Sequence, residues 1–80
     1  MDILEQLREV IAQTLRTPAS SIGPTTRAAD VPTWDSLGHV NLMMSIEQTF
    51  DIQLEVEDFP KLTSVPAILE HLKKHGIGHG

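Results

Sequence analysis

Two side chains able to do chemistry stand together at Asp35 and Ser36. A serine hydroxyl can act as a nucleophile or accept a covalent group, and a neighbouring carboxylate can orient it or bind a metal ion. Both residue types also favour the cap of a helix N-terminus, so the pair alone predicts a plain cap. No Ser-His-Asp spacing, glycine-rich phosphate loop or metal motif accompanies it, and the chain has no cysteine. We therefore expect no enzyme activity.

The histidines offer a second chemistry. His71 and His75 are four residues apart, which places them on one helix face, and His79 follows after the same interval. Such a trio could bind Zn²⁺, but the acid of a metalloprotease helix is missing and His79 lies in the expected tail, so we predict no metal site. His39 falls on the expected core side of its helix, where packing or a hydrogen bond to the preceding loop would satisfy it.

The composition is that of one small folded domain, residues 1–80. Hydrophobic residues make up 40% of the chain and charged residues 21%, and no apolar run is long enough to insert into a membrane. The net charge of −5 disfavours nucleic acid as a partner. Seven acidic and no basic residues lie between Ala28 and Pro60, so we expect an acidic surface that faces basic proteins. The absence of cysteine fits a cytoplasmic protein, and we expect a monomer.

Apolar residues that recur every three to four positions predict three main helices. Their expected spans are about residues 3–16, 36–50 and 64–75. A short helical turn is expected at residues 57–61. Residues 52–56 alternate apolar and polar, which is typical of a strand, but a single strand has no partner here, so we expect an extended loop. The predicted fold is all-α, a small antiparallel four-helix bundle of three main helices and one short one. Its core would span about residues 2–75, followed by a flexible tail at 76–80.

The elements that would position Ser36 are a long first loop and the second helix. The loop, residues 17–35, contains three prolines and no convincing period, apart from a possible turn near residues 27–30. Its expected anchors in the core are Ile22, Val31 and Trp34.

The second helix has two apolar faces, and one of them is free to bind a partner unless both are buried. The core-side face comprises Leu42, Met43, Ile46 and Phe50. The other face comprises Leu37, Val40 and Met44, with Glu47 and Asp51 on the same side.

The segment Trp34-Asp35-Ser36-Leu37-Gly38-His39-Val40 resembles the Asp-Ser-Leu attachment motif of acyl carrier proteins. The order of the elements is also similar to that family: an amphipathic helix, a proline-containing loop, the motif, an acidic helix, a short turn and a Thr-Ser-capped last helix. The tripeptide alone is a weak signal. The same tripeptide at this position, in a chain of this length and followed by clustered acids, is a specific one.

The resemblance implies a role for each matched residue. Ser36 would carry 4′-phosphopantetheine, attached from coenzyme A by a separate phosphopantetheinyl transferase, and Asp35 would position the serine and the transferase's Mg²⁺. The implied partner-binding residues are Leu37, Val40, Met44, Glu47, Asp51, Glu57 and Asp58. The cofactor thiol would carry acyl groups as thioesters to acyl-loading and acyl-processing enzymes that have basic docking patches. The pathway would be fatty acid, polyketide or related specialised biosynthesis.

Three residues depart from the pattern of the fatty-acid-synthesis subgroup. Gly38 and Asn41 stand where that subgroup usually carries acids, and Trp34 stands where it usually has a small residue. We interpret these departures as favouring a specialised carrier.

Three other functions stay open. A peptidyl, aminoacyl or D-alanyl carrier would use the same serine, although the acidic helix and the Asp-Ser-Leu motif favour acyl groups. A helical adaptor would bind proteins with Ser36 unmodified. A small metal-binding protein would use His71, His75 and His79.

Overall fold

The computed structural model describes residues 3–77 of the chain. Its three main helices are α1 (Ile3–Leu15), α2 (Ser36–Phe50) and α3 (Val65–Lys74). Three short 3-10 helices lie in the connections: η1 (Ala19–Ser21), η2 (Ala28–Asp30) and η3 (Val56–Lys61). No strand forms within this part of the chain, and residues 52–55 are extended without a partner. The predicted all-α bundle of three main helices and a short one is confirmed.

The helices are held together by an aliphatic core. α1 packs against α2 and α3, and η3 packs against α2. The largest fully buried side chains are Leu7, Ile11, Ile22, Leu42, Met43, Ile46, Val65, Ile68 and Leu72. Each stabilises the fold by about 1.5–3 kcal/mol relative to an exposed side chain. Helices of 10 to 15 residues are marginal in isolation, so this packing is what maintains them.

The long first loop is held against the rest of the protein by buried side chains and by backbone hydrogen bonds. The predicted anchors are all buried: Ile22, Val31 and Trp34. The Ala28 amide donates to the Thr63 carbonyl at 2.8 Å, and the Val65 amide donates to the Thr26 carbonyl at 2.8 Å. The loop is thereby tied to the start of α3, which gives the segment before Ser36 a fixed path.

One of the two short helices in this loop was predicted and the other was not. The turn expected near residues 27–30 forms as η2, but η1 was not predicted. η1 follows Pro18, and the Arg8 side chain donates to the Ala19 carbonyl at 3.3 Å. A helix of three residues is too short to show a hydrophobic period, so only the structure shows it.

The ends of the helices use left-handed residues. Arg16 follows α1 with φ 54°, Asp51 follows α2 with φ 54°, and Gly76 follows α3 with φ 81°. The amides of Gly76 and Ile77 donate to the carbonyls of Lys73 and Leu72 at 3.0 Å each. These two residues of the expected tail are therefore tied to α3, and residues 78–80 lie outside the described part. No helix in residues 3–77 is long and apolar enough to cross a membrane.

Candidate functional site

Ser36 is the first residue of α2, and its neighbour Asp35 performs the capping. The Asp35 carboxylate oxygen Oδ1 accepts a hydrogen bond from the Gly38 amide at 2.8 Å. Ser36 is exposed, and its hydroxyl is not needed to complete the helix end. The structure thus decides between the two candidate caps and leaves the serine hydroxyl available for chemistry.

The position of Ser36 suits an anionic substituent. Unpaired amides and the aligned peptide dipoles make the N-terminus of a helix partially positive, which favours a phosphate there. The first turn of α2, from Ser36 onward, contains no acidic side chain that would repel such a group. The Asp35 carboxylate is the nearest negative charge in sequence, and one of its oxygens is engaged in the cap.

A recess opens beside the serine, with a volume of about 340 Å³. Its lining residues are Ala28, Trp34, Asp35, Ser36, His39 and Thr63. They come from the long loop, the first turn of α2 and the segment before α3. The recess is open to solvent, so it has room for a slender substituent of Ser36 and does not enclose a substrate.

His39 joins three segments around this recess. The Trp34 indole Nε1–H donates to His39 Nδ1 at 2.9 Å, and His39 Nε2 lies 2.6 Å from the Phe59 carbonyl oxygen in η3. Because Nδ1 accepts, the proton of the neutral ring is on Nε2, which donates to Phe59. The expected hydrogen bond between His39 and the loop is present, with Trp34 as the donor, whereas the bond to η3 was not predicted.

Gly38 is required by the close approach of the loop backbone. A Cβ atom at this position would overlap the Thr33 carbonyl oxygen and lie 3.0 Å from a methyl group of Leu15. Any side chain at 38, including the acid of the fatty-acid-synthesis subgroup, would force the loop to move. The sequence showed a missing charge here, and the structure adds a steric reason.

Comparison with known proteins places this site in a family. The model of the phosphopantetheine attachment site matches residues 5–72. The curated acyl carrier protein of Clostridium acetobutylicum is 32% identical over 73 residues, which covers 91% of this chain and 95% of that protein. The chain belongs to the acyl carrier protein family. Its prosthetic group is therefore a covalently attached 4′-phosphopantetheine, and the exposed hydroxyl at the positive end of α2 fits such a group.

The second apolar face of this carrier's central helix is exposed, which excludes the alternative that both faces are buried. Leu37 is 72% exposed, Met44 51% and Val40 43%, whereas the core-side residues of α2 are buried. The structure adds Val56, at the start of η3, which is 82% exposed and lies between Glu55 and Glu57 in sequence. The sequence analysis placed Val56 in the extended segment 52–56 and not among the partner-binding residues, whereas the structure places it in η3.

The four carboxylates expected to face partners differ in their surroundings. Asp51 and Glu57 are exposed. Glu47 is half-buried, and its Oε2 accepts a hydrogen bond from the Leu54 amide at 2.8 Å. Asp58 is half-buried, accepts from the Glu55 amide at 3.2 Å, and lies 3.8 Å from Nε2 of His71. Two of the four therefore also stabilise the carrier's own connections.

His71 of α3 and His75, the C-cap residue of that helix, form a pair. The Nε2 atoms of His71 and His75 are 3.2 Å apart. In the described residues, no group of three or more His, Asp or Glu side chains is placed to hold a metal ion. His79, the third ligand considered from the sequence, lies outside that range.

Proposed function

We propose that this protein carries acyl groups as thioesters on a 4′-phosphopantetheine arm attached to Ser36 Oγ. The observation that carries the proposal is the exposed hydroxyl of Ser36 at the N-terminus of α2, released from capping by Asp35. The absence of cysteine is consistent with this, because the working thiol belongs to the cofactor.

The attachment reaction needs a separate phosphopantetheinyl transferase. Ser36 Oγ attacks the β-phosphorus of coenzyme A, a new P–O bond forms, and adenosine 3′,5′-bisphosphate leaves as the pyrophosphate bond breaks. The serine proton would pass to a base of the transferase, whose Mg²⁺ would neutralise the phosphate charge. Oδ1 of Asp35 is engaged in the helix cap, so its second carboxylate oxygen would be the one left to contact the transferase's metal.

Partner enzymes would dock on a surface built by α2 and η3, which we call the docking face. It consists of Leu37, Val40, Met44, Glu47, Asp51, Val56, Glu57 and Asp58. The few exposed apolar side chains would bind a partner enzyme only weakly. The carboxylates around them would attract basic enzymes over longer distances. Weak but fast association suits a carrier that must visit several enzymes in turn.

The pathway we favour is a specialised one, in fatty acid, polyketide or related biosynthesis. Support comes from the first turn of α2, which lacks acidic side chains, and from the tight fit around Gly38 that excludes one. Enzymes that need an acid at position 38 would find neither the charge nor the room for it. The cellular setting we propose is the cytoplasm, where coenzyme A and the transferase would be available.

Intact mass spectrometry tests the proposal directly. The unmodified protein is incubated with coenzyme A, Mg²⁺ and a promiscuous phosphopantetheinyl transferase, beside the variants Ser36→Ala and Ser21→Ala. Ser21 is an exposed serine of η1, so its variant controls for general effects of losing a hydroxyl. We expect one phosphopantetheinyl group on the wild type and on Ser21→Ala, and none on Ser36→Ala. A folded wild type that stays unmodified by several transferases would instead support the adaptor.

A further inference from the structure

His39 ties the turn that carries Ser36 to η3. Through Nδ1 it holds Trp34, two residues before the serine, and through Nε2 it holds the Phe59 carbonyl. The Trp34 and His39 rings are nearly parallel, with centroids 6.3 Å apart, and Phe59 meets the imidazole edge-on at 6.4 Å. We call this chain of hydrogen bonds, from Trp34 through His39 to Phe59, the relay.

The relay uses the whole hydrogen-bonding capacity of a neutral imidazole. One ring nitrogen accepts and the other donates, so neither is left to take a proton from Ser36. His39 therefore does not act as a base toward the serine while the relay is intact. What it can do is fix positions.

The segment around the relay is unusually constrained. The Trp34 indole is 5% exposed, and its amide donates to the Val31 carbonyl at 2.9 Å. On the other side of Ser36, Gly38 lets the Thr33 carbonyl come into direct contact with the first turn of α2. Residues 33–39 thus form one packed unit, and the relay is its polar connection to η3.

The docking face is divided between the two elements that the relay joins. α2 contributes Leu37, Val40 and Met44, and η3 contributes Val56 and Glu57. The bond between Glu47 and the Leu54 amide holds the opposite end of α2 to the segment before η3. Near Ser36, the connection between α2 and η3 is the His39 bond to Phe59.

We propose that His39 is a positioning residue. It fixes the position of η3 relative to Ser36, so that an enzyme can bind both elements of the docking face while the serine lies in the enzyme's active site. This inference rests on the proposed function. It assigns a role to a side chain outside the Asp-Ser-Leu tripeptide. The neutral ring with its proton on Nε2 is the form that performs this role.

The kinetic consequence is a change in binding without a change in chemistry. A transferase that contacts both elements would bind less well when η3 can shift, whereas the chemical step at the docked serine would be unaltered. We expect His39→Ala to raise KM for the carrier about three- to tenfold, the range that corresponds to one net hydrogen bond. The value of kcat should stay within about twofold, since the loss is one of uniform binding.

Two isosteric variants separate the two bonds. His39→Gln can still donate to Phe59, because its amide nitrogen reaches the position of Nε2, and it should keep KM near the wild-type value. His39→Asn can still accept from Trp34 at the position of Nδ1, but it cannot reach η3, and it should resemble His39→Ala. His75→Ala, an exposed histidine of the α3 region, is the matched control and should leave KM unchanged.

Imidazole ¹⁵N NMR of the unmodified wild type tests the relay without any transferase. We expect His39 in a single neutral form, with Nδ1 unprotonated and Nε2 protonated. A protonated Nδ1, or averaging between the two forms, would overturn the relay.

The kinetic arm uses variants shown by circular dichroism to be folded. Unchanged KM in His39→Ala, or equal KM values for the Asn and Gln variants, would overturn the positioning role. If His39→Ala does not fold, His39→Gln and His39→Asn decide the question by their difference in KM. Failure of the proposed function has a different signature, because the wild type itself would then remain unmodified.

Discussion

At the scale of single residues, the environment of Ser36 depends on neighbours whose roles only the structure reveals. Gly38 would weaken a helix on propensity alone, by about 1 kcal/mol relative to alanine. In the folded protein the same residue allows the Thr33 carbonyl to pack against α2. The low helix propensity of Gly38 is therefore offset by this packing contact. The two effects predict opposite changes in stability when Gly38 is replaced by alanine.

Gly38→Ala tests which effect is larger. Helix propensity alone would make the variant about 1 kcal/mol more stable. The overlap with Thr33 should outweigh that gain, because this carbonyl precedes the buried Trp34, and we expect a net loss of about 2 kcal/mol. Urea denaturation measures the free energy of unfolding. The control is Asn41→Ala, at an exposed site on the same helix, whose free energy of unfolding should be no more than about 0.5 kcal/mol below that of the wild type. A stabilised Gly38→Ala would mean that the loop relaxes at little cost.

At the scale of elements, two helices end at non-glycine residues with left-handed backbone conformations, which the sequence alone does not indicate. α1 is followed by Arg16, an exposed non-glycine residue with φ 54°. The left-handed region is unfavourable for residues with a Cβ atom, and glycine is the preferred residue at such a helix end. The position tolerates arginine only because the core fixes the helix that precedes it.

Arg16→Gly should therefore stabilise the protein, by about 1 kcal/mol. The matched control is Gln13→Gly, an exposed position inside α1, where glycine should cost about 1 kcal/mol. The same replacement is thus expected to shift the urea midpoint in opposite directions three residues apart. Loss of stability in both variants would contradict the interpretation of Arg16.

The elements that were predicted are those that repeat a pattern over several turns. α1 and α3 each show one apolar stripe, and α2 shows two apolar faces. Of Thr63 and Ser64, the two residues expected to cap α3, Ser64 is the cap. The division of α2 into a buried and an exposed face also follows from its period. η1, the fit around Gly38 and the bond from His39 to Phe59 could not be predicted, because each depends on contacts between segments distant in sequence.

At the scale of the whole molecule, the acidic stretch of the sequence and the docking face share two elements, α2 and η3. The net charge is −5, and the stretch without basic residues folds into the second half of the first loop, α2 and most of η3. An attraction produced by net charge would not depend on where a carboxylate lies, whereas an attraction produced by the docking face would. Two substitutions that change the net charge equally can separate these two cases.

Glu57→Lys and Glu9→Lys form that pair. Both residues are exposed, but Glu57 lies on η3 within the docking face and Glu9 lies on α1. At low salt we expect Glu57→Lys to lower kcat/KM with a phosphopantetheinyl transferase about tenfold, because a lysine there repels a basic partner, and Glu9→Lys to change it less than about twofold. The difference should shrink at 1 M salt, where the Debye length is about 3 Å. Equal losses in the two variants would show that net charge alone guides the encounter, and the acidic side of the molecule would then have no special role in docking.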